Sequence, residues 1–149
     1  MRPPPLTDAV ILLDALIAEV VNPEHGAVAT FLGTTRREAA THECLALEYA
    51  VYVALAEAEI DAIAHEAEAR FAASVCIQHR TGVVRVGETS VAVAVSAPHR
   101  RAAFAACSYA IDGLKARVPI WKRAYFADGT TTWFDETDTA VPATDAPGT

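Results

Sequence analysis

Two windows of the chain alternate with the period of a β-strand, and each adjoins a window with helical spacing. Leu45, Leu47, Tyr49 and Val51 interleave with Cys44, Ala46, Glu48 and Ala50, and Val91, Val93 and Val95 repeat the period further on. From about Ala54 to Ala73, Ile60, Ile63, Ala67 and Phe71 form an inner helical stripe, with Glu57, Asp61, Glu66 and Glu68 toward water. Ser96-Ala97-Pro98 opens a further helix that is expected to bury Phe104, Cys107, Ile111, Leu114 and Val118 before Pro119 stops it. Near the start, Thr7 is placed to cap a helix running to about Val21, its apolar side formed by Val10, Ile11, Ile17, Val20 and Val21. Gly26 to Gly33, Val75 to about Arg80, Ile120 to Phe126 and Thr130 to Phe134 read as strands, with Asp128-Gly129 as a hairpin turn. Thr34 to His42 reads as a polar loop. The order α-β-β-α-β-β-α-β-β lacks the strict βαβ alternation of a doubly wound fold. It predicts an α+β fold with helices covering one face of a mainly antiparallel sheet.

A chain of 149 residues fits one domain, 1–134, followed by an acidic, Pro-punctuated tail, 135–149, that is expected to fray. The Pro-rich residues 1–6 form the other compositional break. Of the 52% apolar residues, 32 positions are alanine, so much of the apolar content is small helix-forming filler. No apolar run approaches the roughly 18 residues of a membrane span, and the start lacks a secretory pattern. Cys44, Cys76 and Cys107 are odd in number and far apart, as reduced thiols are. The expectation is a cytoplasmic globular protein, without membrane association.

Charge is unevenly placed. Nine basic residues and two acids lie between Arg70 and Arg123, so that segment carries +7 and the rest of a chain of net charge −7 carries −14. A basic segment in an acidic protein suits a small anion better than a nucleic acid, which the remaining surface would repel. Lys115 and Lys122 are the only lysines against ten arginines. A lysine can lose its proton when desolvated; a guanidinium effectively cannot.

Three places could carry chemistry. His99-Arg100-Arg101 opens a helix, where free backbone N–H groups attract anions and where cations cost helix stability. In Val118-Pro119-Ile120-Trp121-Lys122-Arg123, alternation puts Lys122 on the side of Ile120, beside the apolar cluster of the sheet. Burial there would depress an ammonium pKa and ready it for nucleophilic or proton-transfer work; the ordinary alternative is a side chain snorkelling to water. Arg36 is a third anion handle, in the loop after the first strand. Phosphate loops, dinucleotide fingerprints, nucleophile elbows and zinc-protease motifs are absent. His42 with Cys44, or Cys76 with His79, lacks a second pair at zinc spacing and reads as core thiols and strand-end histidines. Glu48 and Glu88 read as isolated solvent-face or turn residues.

These places, in this order, resemble the large catalytic subunit family of molybdopterin synthase. The matching segments are Gly26 through Arg36, Leu47-Glu48-Tyr49, His79-Arg80-Thr81-Gly82, Gly87-Glu88, Val95 through Arg100 with Ala103-Phe104, and Lys115 through Lys122. The His-Arg pair followed some twenty residues later by Pro-Ile-Trp-Lys is the most specific part. The resemblance implies an α/β-hammerhead-like α+β fold with an added small β-subdomain, a homodimer, and no metal or organic cofactor. It further implies a partner, a small ubiquitin-like sulfur-carrier subunit ending in a Gly-Gly thiocarboxylate. In the pocket that takes that tail, two sulfurs would be transferred in succession to cyclic pyranopterin monophosphate, forming molybdopterin. Carried over by position, Lys122 matches the catalytic lysine; Arg36, His99 and Arg100 match substrate-binding residues; Lys115 matches a basic position near the pocket. Ala124 and Ala50 stand where the family often has acids, and the loop 37–44 lacks its common glycine. The competing readings are a non-catalytic anion- or nucleotide-binding dimer using the same pocket, and a nucleic-acid binder.

Overall fold

The computed structural model describes residues 2–39, 42–135 and 139–142. In chain order the elements are β1 (Leu6–Thr7), α1 (Leu13–Val20), β2 (Ala27–Thr34), β3 (Glu38–Ala39), β4 (His42–Val51), α2 (Val53–Phe71), β5 (Ser74–Arg80), β6 (Gly82–Arg85), β7 (Thr89–Ala97), α3 (Arg100–Arg117), β8 (Ile120–Phe126), β9 (Thr131–Asp135) and β10 (Ala140–Val141). Four strands form one sheet in the order β1-β5-β7-β2, and a second sheet runs β10-β9-β8-β4-β3, with β6 also on β4. All pairings are antiparallel except β1 with β5. The architecture is α+β, as the order of periodicities predicts.

The core explains the strand patterns. Ile60, Ile63 and Ala67 of α2 and Ala103, Ala106, Ala110 and Leu114 of α3 pack on Val75, Ile77, Val91, Val93 and Val95. Helix α1 lies on the opposite face, where Leu16 and Val20 meet Cys76, Ala92 and Ala94. The helices therefore cover both faces of the first sheet, correcting the expectation of one covered face. β7 is buried from Ser90 onward, with valines toward α2 and α3 and Ala92 and Ala94 toward α1. Its period of two is an alternation of large and small residues, which looks the same in sequence as an alternation of buried and half-exposed ones. Gly113 serves the α2–α3 contact: a β-carbon there would sit 3.3 Å from Ile63.

The structure departs from the sequence pattern in further places. Thr7 does not cap a helix; Leu6–Thr7 adds a parallel edge strand, and the Thr7 hydroxyl accepts from the Ala9 N–H. The Pro-rich start is pinned, because the Pro4 and Pro5 carbonyls accept from the Gln78 side chain and the His79 N–H. Helix α1 is short, so Val10 and Val21 project into solvent. Phe104 is 65% exposed, since its helical position faces away from the Ala103-Cys107-Leu114 stripe. The loop after β2 contains the short strand β3, antiparallel to β4. Of the tail, Ala140–Val141 pairs with Phe134 and Trp133, whereas 136–138 and 143–149 lie outside the described residues. No helix among the described residues is long and apolar enough to cross a membrane.

Candidate functional site

Strand β8 starts one residue after Pro119 and carries Ile120, Lys122, Ala124 and Phe126 on one face. Ile120, Ala124 and Phe126 are buried, and Lys122 is half-buried in the same row. It stands opposite Tyr49 of β4 and Phe134 of β9. Lys122 therefore occupies the apolar side of its sheet, as the alternation predicts. The Cys44 thiol lies in its field: burial pushes that thiol up, while the bond to the Ala46 carbonyl and the Lys122 charge pull it down.

The reverse face of β8 is occupied differently. Arg123 donates to Glu48 at 2.7 and 3.0 Å, and the Tyr125 hydroxyl donates to the same carboxylate oxygen at 2.8 Å. The Tyr125 bond, and after burial opposes it the Arg123 pairing, hold Glu48 below the usual carboxylate range. The Arg123 guanidinium also lies over the Tyr125 and Trp133 rings. Arg123 is thus committed to a clasp, and Glu48 is not the isolated acid its surroundings in sequence suggest. Glu88 is likewise engaged: it pairs with Arg80 at 3.5 Å and accepts from the Arg85 N–H at 2.7 Å.

Arg36 is exposed but its backbone is fixed on both sides. The Thr35 N–H donates to the Glu88 carbonyl at 3.0 Å, and the Arg37 carbonyl accepts from the Cys44 N–H at 2.6 Å. Gly87, at φ +86, makes the turn that lets its own N–H donate to the Thr35 carbonyl. Cys44 bonds beside Arg36 through its amide, and its thiol pKa is lowered by the Lys122 charge.

Lys115 lies exposed in the last turn of α3, at the same end of the first sheet as Arg36. His99 is the N-cap of α3 and Arg100 its first residue; both are exposed, and His99 makes no side-chain capping bond. These two stand at the other end. Ala97 pairs with Ala27 and Thr89 with Thr34, so the β2–β7 ladder separates them from Arg36 by seven residue steps, about 24 Å. Helix α3 spans fifteen steps from Arg100 to Lys115, about 22 Å. Lys122 belongs to the Arg36 end, because Tyr49 beside it touches His79, which pairs with Val91 near the start of β7. Within one protomer the predicted residues thus form two groups: Arg36, Lys115 and Lys122 at one end, His99 and Arg100 at the other.

An open hollow of about 340 Å³ lies on the outer face of the second sheet, lined by Leu45, Ala46, Val83, Arg85 and Tyr125. None of the five predicted site residues lines it. Among the described residues no three His, Cys, Asp or Glu side chains group as metal ligands. All three cysteines are buried, and burial pushes their thiols up. The His42 side chain lies outside the described residues.

The scaffold is thus of the α+β class, with Arg36, Lys115 and the half-buried Lys122 toward one end and His99 and Arg100 toward the other. Residues 6–117 match the family model described as MoaE protein, and the chain belongs to that family. It is 43% identical over 115 residues to the molybdopterin synthase catalytic subunit of Rattus norvegicus, covering 76% of this chain and 58% of that one. The chain therefore spans somewhat over half the length of this relative. Its fold matches the crystal structure of molybdopterin synthase from Staphylococcus aureus with a TM-score of 0.83 at 31% identity, covering 86% of this chain and 93% of that one. A complex of subunits 1 and 2 of molybdopterin-converting factor from Helicobacter pylori 26695 shares the fold at 21% identity, with a TM-score of 0.61 over 82% of this chain and 74% of that one.

Proposed function

We propose that this chain is the catalytic subunit of a molybdopterin synthase. It would transfer sulfur from the C-terminal thiocarboxylate of a small carrier subunit to cyclic pyranopterin monophosphate. The observation that carries the reading is Lys122, a lysine half-buried in an otherwise apolar row toward the Arg36 end of the molecule. A phosphate-bearing substrate and a thiocarboxylate are both anions, and concentrated positive charge offsets their repulsion in one site. Arg36, His99 and Arg100 suit bidentate or charge-assisted contacts to the phosphate and pterin oxygens. Lys122, in a partly dry position, suits stabilising the tetrahedral species as sulfur leaves the acyl carbon, by charge or by proton donation. Lys115 adds positive charge at the same end.

The separation of His99 and Arg100 from Arg36 supports a homodimer with a shared site. Strand β2 ends the first sheet, and its open edge from Ala27 to Thr34 carries no charge and no proline. Val28, Phe31 and Leu32 are exposed there, and Phe104 is exposed on α3, which packs on β2. An open apolar edge of this length is a template for pairing with another chain. Antiparallel pairing of β2 with its copy about a two-fold axis would set Thr34 beside the partner's Ala27. Arg36 would then lie next to the partner's His99 and the partner's Arg100, giving two complete sites per dimer. The small carrier subunit completes the assembly, in keeping with the two-subunit complex of the H. pylori relative.

The test is conversion of the pterin phosphate by this protein with a thiocarboxylated carrier. Lys122→Ala should abolish turnover and leave precursor binding intact. Native turnover by Lys122→Ala would leave the non-catalytic anion-binding dimer as the better reading.

A further inference from the structure

Lys122 has a directly opposite neighbour on each adjoining strand, Tyr49 on β4 and Phe134 on β9. Opposite residues on one sheet face have β-carbons about 5 Å apart, so both rings flank the lysine stem. The two rings are held very differently. Phe134 is partly buried, on a strand whose outer neighbour is only the two-residue β10. Tyr49 is 7% exposed, and its ring meets the His79 ring edge-on at 4.9 Å between centroids.

His79 is itself fixed. It is 1% exposed, and its Nδ1 lies 2.6 Å from the Arg80 carbonyl, an acceptor, so Nδ1 carries the proton. Its backbone N–H donates to the Pro5 carbonyl at 2.8 Å. Tyr49 therefore meets a pinned, buried imidazole and stands directly opposite the lysine in the sheet. Val84, Leu47, Ile120 and Ala124 pack on the same face.

We propose that Tyr49 is a positioning residue for Lys122: its ring, wedged against His79, fixes the direction in which the lysine stem leaves the sheet. The proposal rests on the reading of Lys122 as the catalytic group. A four-methylene stem free to sample its rotamers must be ordered at each turnover, whereas a stem lying along a fixed ring is ordered beforehand. The effect belongs to the ring and its rigidity. The hydroxyl is not required for it.

The experiment compares Tyr49→Phe, which keeps the ring, with Tyr49→Met, which keeps apolar bulk and loses rigidity. Each is made in the whole protein, checked for folding by circular dichroism, and assayed for conversion with thiocarboxylated carrier. Tyr49→Phe is expected to stay within about threefold of native kcat, and Tyr49→Met to lose on the order of 10- to 100-fold in kcat with little change in KM. A second readout needs no turnover: the rate at which an amine-reactive reagent labels Lys122, followed by peptide mass spectrometry, should rise in Tyr49→Met alone. A folded Tyr49→Met with native kcat and native labelling overturns the proposal, as does a Tyr49→Phe as impaired as Tyr49→Met. If Tyr49→Met does not fold, His79→Gln, which frees the ring while leaving it in place, is read by the same criteria. Should Lys122→Ala turn over normally, the catalytic reading falls, while the labelling rates still decide whether Tyr49 orders the lysine.

Discussion

Arg36 and His99 stand beyond opposite ends of one antiparallel ladder: Thr34, two residues before Arg36, pairs with Thr89, and Ala97, two residues before His99, pairs with Ala27. Two residues that the family resemblance assigns to one substrate are thus held some 24 Å apart by the β2–β7 pair. No local loop movement closes that distance. In the proposed homodimer, pairing through the exposed β2 edge would bring the two together symmetrically.

Subunit mixing tests this arrangement directly. Arg36→Ala and His99→Ala should each be inactive as homodimers. In a mixed dimer one site carries both substitutions and the other carries neither. Mixing the two inactive proteins in equal amounts after dissociation should therefore restore about a quarter of native activity. Sites built within single chains would give no recovery.

The β2 edge itself can be blocked. Phe31 is exposed in the middle of the strand, and Phe31→Lys places a charge where an edge-to-edge contact would bury it. The variant should run as a monomer in sedimentation or light scattering, keep its helical circular dichroism, and lose conversion by at least about 100-fold. An unchanged dimer would place the interface elsewhere.

Much of the fold was legible because burial leaves a periodic trace. The Ile60-Ile63-Ala67 stripe, the Pro119 stop and the Asp128-Gly129 turn, with Gly129 at φ +87, are local features that nearby residues specify. The side of the sheet taken by Lys122 was legible for the same reason. What was not legible depends on partners distant in sequence. Ala92 and Ala94 look like the polar-facing half of a strand until α1 is seen to cover them. Thr7 looks like a helix cap until Arg80 is found as its strand partner. Phe104 fits a helical stripe but falls on the far side of a helix whose tight packing uses alanines. The site residues were recognisable one by one. Their division between two ends of the molecule is a matter of strand register, which composition and spacing do not encode.

Lys122→Ala offers a structural check independent of catalysis. The Lys122 charge opposes the burial that pushes the Cys44 thiol up. Removing it should raise that thiol's pKa further, so alkylation of Cys44 near pH 9 should slow relative to native protein. Lys115→Ala, on the helix, should leave the rate unchanged. Equal rates in all three proteins would mean that the Lys122 charge does not act on the Cys44 thiol.

The Glu48 clasp predicts a pH-dependent contribution to stability. Bonds from Tyr125 and Arg123 hold Glu48 below its usual carboxylate range, so its pKa is lower folded than unfolded. At any pH between those two values the unfolded chain binds more protons, and stability there rises with pH. The contribution is complete above the unfolded value and fades as pH falls through the folded one. Glu48→Gln keeps the shape but loses the charge, which costs about 1 kcal/mol at neutral pH given the partial exposure of both partners. The urea-unfolding free energies of native and Glu48→Gln proteins should differ at pH 7, and the gap should narrow as pH falls below the usual carboxylate range, with Arg123→Gln following the same course. A gap that begins to narrow at no acidic pH where the protein still folds would assign the loss to packing against Trp133 and Tyr125 instead of to the ionised carboxylate.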